Sequence, residues 1–230
     1  MADLAALQKA LGIVFNDQSV LEQALIHSSY VNENPGFSMT SNERLEFLGD
    51  AVLGMIVAER LYQNFPGLAE GQMTQFRAAL VSRESLARMA RTIKLGDYLY
   101  LGKGEEAGGG RNRPLNLAGA LEALIAAIFL DSGLDSARSF ILKLLDPEME
   151  KIVQQGDIVD YKSELQEFVQ ARRQPTPTYH LIEATGPDHD RVFTVEVRAG
   201  AQVLGQGTGK SKKAAEAEAA RSAMKKLSAG

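Results

Sequence analysis

Residues 42–53 read NERLEFLGDAVL, and the order of charged and apolar positions in this stretch decides how it folds. Glu43, Glu46 and Asp50 stand three and four residues apart, just ahead of the apolar run 51–58. At about 100° per residue the three carboxylates fall within about 60° of one another on a helix. Leu45, Leu48, Val52, Met55 and Ile56 take the opposite side, and Phe47 and Leu53 flank the acids. A helix apolar almost all round is predicted to be largely buried. Like charges on a buried helix repel and resist desolvation, which implies a cation among them. On spacing alone an acidic, solvated face is the competing reading. Two features weigh against it. Gly49 weakens the helix by about 1 kcal/mol relative to Ala, as if close approach mattered more than helix strength. A second apolar helix, AGALEALIAAIFL at 118–130, carries a lone acid, Glu122. A hard divalent ion shared with Glu46 and Asp50 would give that acid a partner.

These twelve consecutive residues resemble the signature of the ribonuclease III family, which cuts double-stranded RNA, and ALIHSSY at 24–30 resembles it too. The resemblance implies that Asp50 and Glu122 are catalytic and that Glu46, Asp50 and Glu122 bind Mg²⁺, with Mn²⁺ as the alternative. Glu43 matches an acidic position nearer the rim, with an auxiliary role. Family members place an Asp three residues before the catalytic Glu, where this chain has Gly119. A water, or the side-chain oxygen of Asn116 one turn earlier, is expected to replace that carboxylate, with weaker metal affinity as the consequence. Phe47 matches a position that plugs into the partner subunit of a homodimer, whose two sites would cut both strands. Products would carry 5′ phosphate and 3′ hydroxyl ends with short 3′ overhangs, and ribosomal and messenger RNA precursors are the expected substrates. Another class remains open: a catalytically weakened or silent dimeric duplex-RNA binder, favoured by Gly119 alone.

The bulk composition fits an oxygen-ligated metal. The 230 residues contain no Cys and only three His (His27, His180, His189), so disulfides, thiolate zinc and cysteine nucleophiles are excluded. The N-terminus shows no basic leader, and no unbroken apolar run reaches the roughly 18 residues of a membrane span, so a cytoplasmic protein is expected. Residues 1–150 hold 13 Lys+Arg and 19 Asp+Glu, a net of −6, whereas residues 151–230 hold 12 and 10, a net of +2.

Along the first 147 residues the apolar spacing is helical throughout and never alternates with period two. Helices are expected at 4–11, after Asn16-Asp17 and running into His27–Tyr30, from the signature capped by Thr40 or Ser41, and at 75–93. His27 is read as a core or capping histidine. The segment 102–111 is expected to be a glycine-rich basic loop suited to phosphates. Asp146-Pro147 is expected to end the last helix, with a linker at 148–158. From residue 159 to 228 the pattern becomes α-β-β-β-α: a helix at 161–170, strands at 179–184, 192–198 and 201–207, and a helix at 212–227. That order is the plan of a double-stranded RNA-binding domain. The expected fold is therefore an all-α endonuclease domain (1–147) followed by this small α+β domain.

GQGTGKS at 205–211 invites a phosphate-loop reading but has the wrong glycine spacing, since Leu204 stands where the first glycine is required. No nucleotide cofactor is expected. Lys210, Lys212 and Lys213 instead crowd a helix N-terminus, where free N–H groups favour anions. The resemblance implies RNA contact by these lysines, Ser211, Gln166, Gln170 and His189.

Overall fold

The computed structural model describes residues 3–155, 161–187 and 191–228. It divides into two compact units, 1–149 and 150–230. Among the described residues the first unit is helical apart from a single bridge pairing Ile26 with Tyr100.

The first unit is organised by α4 (Glu43–Asn64) and α8 (Pro114–Gln155), which meet where neither backbone is shielded by a side chain. A Cβ on Gly49 would lie 1.8 Å from the carbonyl oxygen of Glu122, so only glycine permits this approach. Leu45, Val52, Leu53, Ile56 and Leu61 of α4 are buried, as are Leu117, Leu121, Leu124 and Ile128 of α8. Phe47, Met55 and Tyr62 are not. They are 81%, 49% and 73% exposed and lie along one face, which corrects the expectation of a helix buried almost all round. The stretch Pro114–Ile152 is long and apolar enough to cross a membrane, but it is packed as the core helix of this unit. Counting unbroken apolar residues overlooked it because Glu122 and Asp131 interrupt the run.

The shorter helices are fixed by their ends. In α1 (Leu4–Leu11) Asp3 caps the start, and Gly12 closes the end at φ 72°. In α2 (Gln18–Ala24) Asp17 accepts from the Ser19 N–H, and the helix stops at Leu25 rather than running to Tyr30. A separate helix, α3 (Ser28–Glu33), begins there because the His27 Nδ1 accepts from the Ser29 N–H at 3.2 Å. The α4 cap is Asn42, not Thr40 or Ser41; its amide turns away to donate to the Ala24 carbonyl. The stretch expected as one helix over 75–93 is two, α5 (Glu70–Leu80) and α6 (Arg83–Thr92), because Ser82 caps a new start.

The expected phosphate loop holds a short helix, α7 (Lys103–Ala107). The Arg111 guanidinium is taken up by the carbonyls of Gly96, Asp97 and Leu99 and by Glu106, so it braces the chain. α8 bends at Gly133, where φ is 80°, and then passes through Pro147 to Gln155. Asp146-Pro147 therefore does not end it. Asp146 pairs with Arg60 and buried Glu148 with Arg88, which anchor the helix across the proline. Residues 148–155 of the expected linker are helical, and 156–158 lie outside the described residues.

In the second unit, an antiparallel sheet in the order β1 (Pro177–Thr185), β2 (Val192–Ala199), β3 (Gln202–Gly209) packs against α9 (Tyr161–Ala171) and α10 (Lys212–Ser228). Gly205, Gly207 and Gly209 alternate along β3, and Ala215, Ala219 and Ala223 repeat every fourth residue along α10. A Cβ on Gly207 would lie 2.2 Å from the Ala219 nitrogen. The glycine run that mimicked a phosphate loop is thus a strand on which a helix lies at close range.

Candidate active site and nucleic-acid interface

Asn42 starts α4 with its side chain buried, so the next turns place Glu43, Glu46 and Asp50 in succession up the helix. The Gly49 contact brings Glu122 of α8 to the same level. Burial, then the charges of Glu46 and Asp50, push the Glu122 carboxyl up to about 7. The Glu46 carboxyl is also raised, first by burial and then by Glu43 and Asp50, with His27 opposing. None of these three acids forms an ion pair among the described residues. Glu43 is exposed and accepts from the Ser41 hydroxyl at 2.7 Å, a rim position.

A cleft of about 240 Å³ lies beside Glu46, lined by His27, Glu43, Leu115, Asn116, Gly119 and their neighbours. Glu46 leans across it. Its Oε2 is 2.5 Å from the point where a Cβ on residue 119 would sit, so its carboxylate occupies space that a longer residue there would need. Asn116 is buried on the opposite wall. Its amide nitrogen donates to Glu105 Oε1 at 2.7 Å and to the Gly110 carbonyl at 3.1 Å. Glu105 was missed in the sequence because it sits among glycines, where nothing marks it as a partner of a residue eleven positions on.

Among the described residues no three His, Asp or Glu side chains close around one point. The acids form an open cluster. That suits an ion that keeps several waters and needs one or two carboxylates, and the mutual repulsion that raises Glu122 is what a divalent cation would relieve. The residues present therefore fit an oxygen-bound metal.

In the second unit, Lys210, Ser211, Lys212 and Lys213 are all exposed at the start of α10. The Ser211 hydroxyl accepts from the Ala214 N–H at 3.1 Å, so it also caps the helix. The first turn of α10 holds no acid. Gln166 and Gln170 are exposed one turn apart on α9. His189 lies outside the described residues.

Comparison with known proteins covers both units. A ribonuclease-III-like family model matches residues 17–148, and a double-stranded RNA binding motif matches residues 161–227. A protein from Dehalococcoides mccartyi called Ribonuclease 3 is 54% identical over 227 residues, spanning 99% of this chain and 96% of its own. Its namesake in Roseiflexus sp. is 48% identical, spanning 97% and 95%. The nuclease domain of ribonuclease III from Campylobacter jejuni superposes with a TM-score of 0.58 at 39% identity, covering 64% of this chain and 97% of that one. A second structure of that domain, at a TM-score of 0.59 and 39% identity, covers 63% and 97% and is described as flexible in a region involved in dimer formation.

Proposed function

The chain belongs to the ribonuclease III family, and on that premise we propose that its acidic cleft cuts duplex RNA with a bound Mg²⁺, or Mn²⁺ in its place. The chain is a double-stranded-RNA endoribonuclease, a nuclease unit followed by a duplex-binding unit. The observation that carries the metal reading is Glu122, half-buried beside two other acids with no cation paired to any of them.

The chemistry the cation supplies is polarisation of the phosphodiester, a lower pKa for an attacking water and support for the leaving 3′ oxygen. Glu46 and Asp50 hold fixed anionic oxygens on one wall of the site. Glu122, whose carboxyl is held near 7 by burial and by the repulsion of Glu46 and Asp50 without a cation, would add a further anionic oxygen once a cation offsets that repulsion. The products are 5′ phosphate and 3′ hydroxyl ends. Lys210, Lys212 and Lys213 meet backbone phosphates while Gln166 and Gln170 reach a groove, a contact that reads shape over about 16 bp. Folded precursors such as ribosomal and messenger RNA, in the cytoplasm, offer helices of that length.

Two copies paired through α4 would place one site on each strand. Phe47, Met55 and Tyr62 supply the apolar face for that pairing. An apolar cleft of about 380 Å³ lined by Ala58, Leu61, Tyr62 and Met73 lies farther along the same helix. On this reading Phe47 of one copy would fill that cleft on the other.

The test is cleavage of a long RNA duplex in Mg²⁺ and in EDTA, with Asp50→Asn and Gly119→Asp proteins alongside. Cutting that needs metal and is lost in Asp50→Asn is expected. The second reading, a silent duplex binder, is favoured by Gly119 and predicts binding without cutting, with activity gained in Gly119→Asp.

A further inference from the structure

On α8, residues 116, 119 and 122 are spaced three apart, so Asn116 and Glu122 flank position 119, each about 60° round the helix. At 119 there is no side chain, and the Glu46 carboxylate rests against the bare backbone. Asn116 is 6% exposed and borders the same cleft. Its amide nitrogen is bound by two acceptors, Glu105 Oε1 and the Gly110 carbonyl, so the two ends of the amide are not interchangeable. The remaining atom, Oδ1, accepts no hydrogen bond among the described residues. With both donors committed, Oδ1 is the one polar atom of this side chain left to meet whatever fills the cleft.

Glu105 is itself held. Its Oε1 also receives the Arg113 guanidinium at 2.6 Å. The start of α7, on which it stands, is fixed by Glu33, which accepts from the N–H groups of Lys103 at 2.7 Å and Gly104 at 3.2 Å. A chain of contacts therefore runs from Glu33 and Arg113 through Glu105 to the orientation of one amide at the acidic cleft.

We infer that Asn116 Oδ1 is an oxygen ligand for the divalent cation of this site, on α8 one turn before Gly119 and in the cleft that Glu46 borders, and that Glu105 is the residue that positions it. The inference rests on the metal reading given above. It assigns to a neutral oxygen the place where a carboxylate at 119 is absent, and a neutral ligand attracts the cation less strongly than a charged one.

The experiment is Mn²⁺ binding to the full chain without RNA, read by the loss of the free-ion paramagnetic resonance signal. Wild type is compared with Asn116→Leu, Glu105→Ala, the double variant and Glu122→Gln, each first checked for folding by circular dichroism. Asn116→Leu is expected to weaken Mn²⁺ about tenfold, within the range for residues that shape a metal site. Glu105→Ala, which also removes the pair with Arg113, is expected to weaken it less, and the double variant no more than Asn116→Leu alone. Wild-type affinity in Asn116→Leu and Glu105→Ala, with binding lost in Glu122→Gln, would overturn the inference and leave the acidic metal site standing. Wild-type affinity in Glu122→Gln would remove the metal reading itself. Additive losses in the double variant would show that Glu105 does not act through Asn116.

Discussion

Gly49 and Gly119 both lack a Cβ on the two helices that carry the acids, but for different reasons. At Gly49 the obstacle is a backbone carbonyl 1.8 Å from the would-be Cβ, which no rotamer change can relieve. Gly49→Ala is therefore expected to cost about 3 kcal/mol or more, the upper end for overpacking. It should also push Glu122 away from Glu46 and Asp50. A lower melting temperature together with lost cleavage in Mg²⁺ would show both effects, and unchanged melting would refute the contact. At Gly119 the obstacle is the end of the flexible Glu46 side chain, so a longer residue is admissible once Glu46 turns. Glu122 allows a pH test. Its folded-state carboxyl, near 7, lies above the ordinary value of 4.5, so between these limits the folded chain binds more protons than the unfolded one. Stability from this group is thus full below about 4.5 and is lost as pH rises through 7. Metal-free wild type should melt at progressively lower temperature from pH 4.5 to 7.5 relative to Glu122→Gln, and saturating Mg²⁺ should narrow that gap. Parallel melting curves for the two proteins would contradict the repulsion argument.

At the scale of elements, α4 shows what a sequence reveals and what it withholds. Its helical nature and its acidic side were legible because each depends on local spacing, and Gly49 was legible only as a weak point suggesting close approach, its reason lying in the distant Glu122 carbonyl. Its exposed apolar face was not, because Phe47, Met55 and Tyr62 have the same composition as core residues and differ only in what covers them. The same limit explains the other differences. Ser82 splits a run of helical periodicity with one hydroxyl. Pro147 looks like a stop but is held inside a helix by ion pairs on either side of it in the chain. In the site, the acids were legible from their spacing, whereas the Glu105 contact to Asn116 depends on tertiary placement that no periodicity encodes. At β3 a strand was expected over 201–207, but the reason its glycines alternate is not legible until the helix backbone that lies against them is seen. For α4 the expected outcome is direct. Phe47→Ala removes the most exposed group of the face, and aromatic anchors of interfaces carry about 2 kcal/mol or more. Its dimer dissociation constant should rise about 30-fold, measured by sedimentation, while α-helical content stays constant. A monomeric wild type, or an unaltered dimer in the variant, would exclude this face as the contact.

Across the whole molecule, charge is divided between the units as the two halves of the task demand. The nuclease half carries a net −6, which suits holding a cation but repels the RNA backbone, and the second half carries +2 with its lysines gathered at the start of α10. Binding to phosphates and cutting of phosphates should therefore respond to different substitutions. Lys212 and Lys213 are exposed at a helix N-terminus that has no acid in its first turn, so each is expected to displace about one counterion from a bound duplex. Replacing both with Ala should make the log–log dependence of duplex affinity on salt shallower by about 2, and should weaken all duplex sequences alike. The cleavage rate at saturating RNA should stay near wild type, because neither lysine belongs to the acidic cleft. Asp50→Asn should give the reverse: an unaltered salt dependence and affinity with no cutting. Filter binding between about 50 and 200 mM salt, run beside single-turnover cleavage, separates the two. If the double lysine variant kept its salt slope, α10 would not be where the phosphates are met. If instead it lost the single-turnover rate at saturation, the division of labour between the acidic and basic halves would be wrong, because the basic unit would then be shaping the chemical step as well as the encounter.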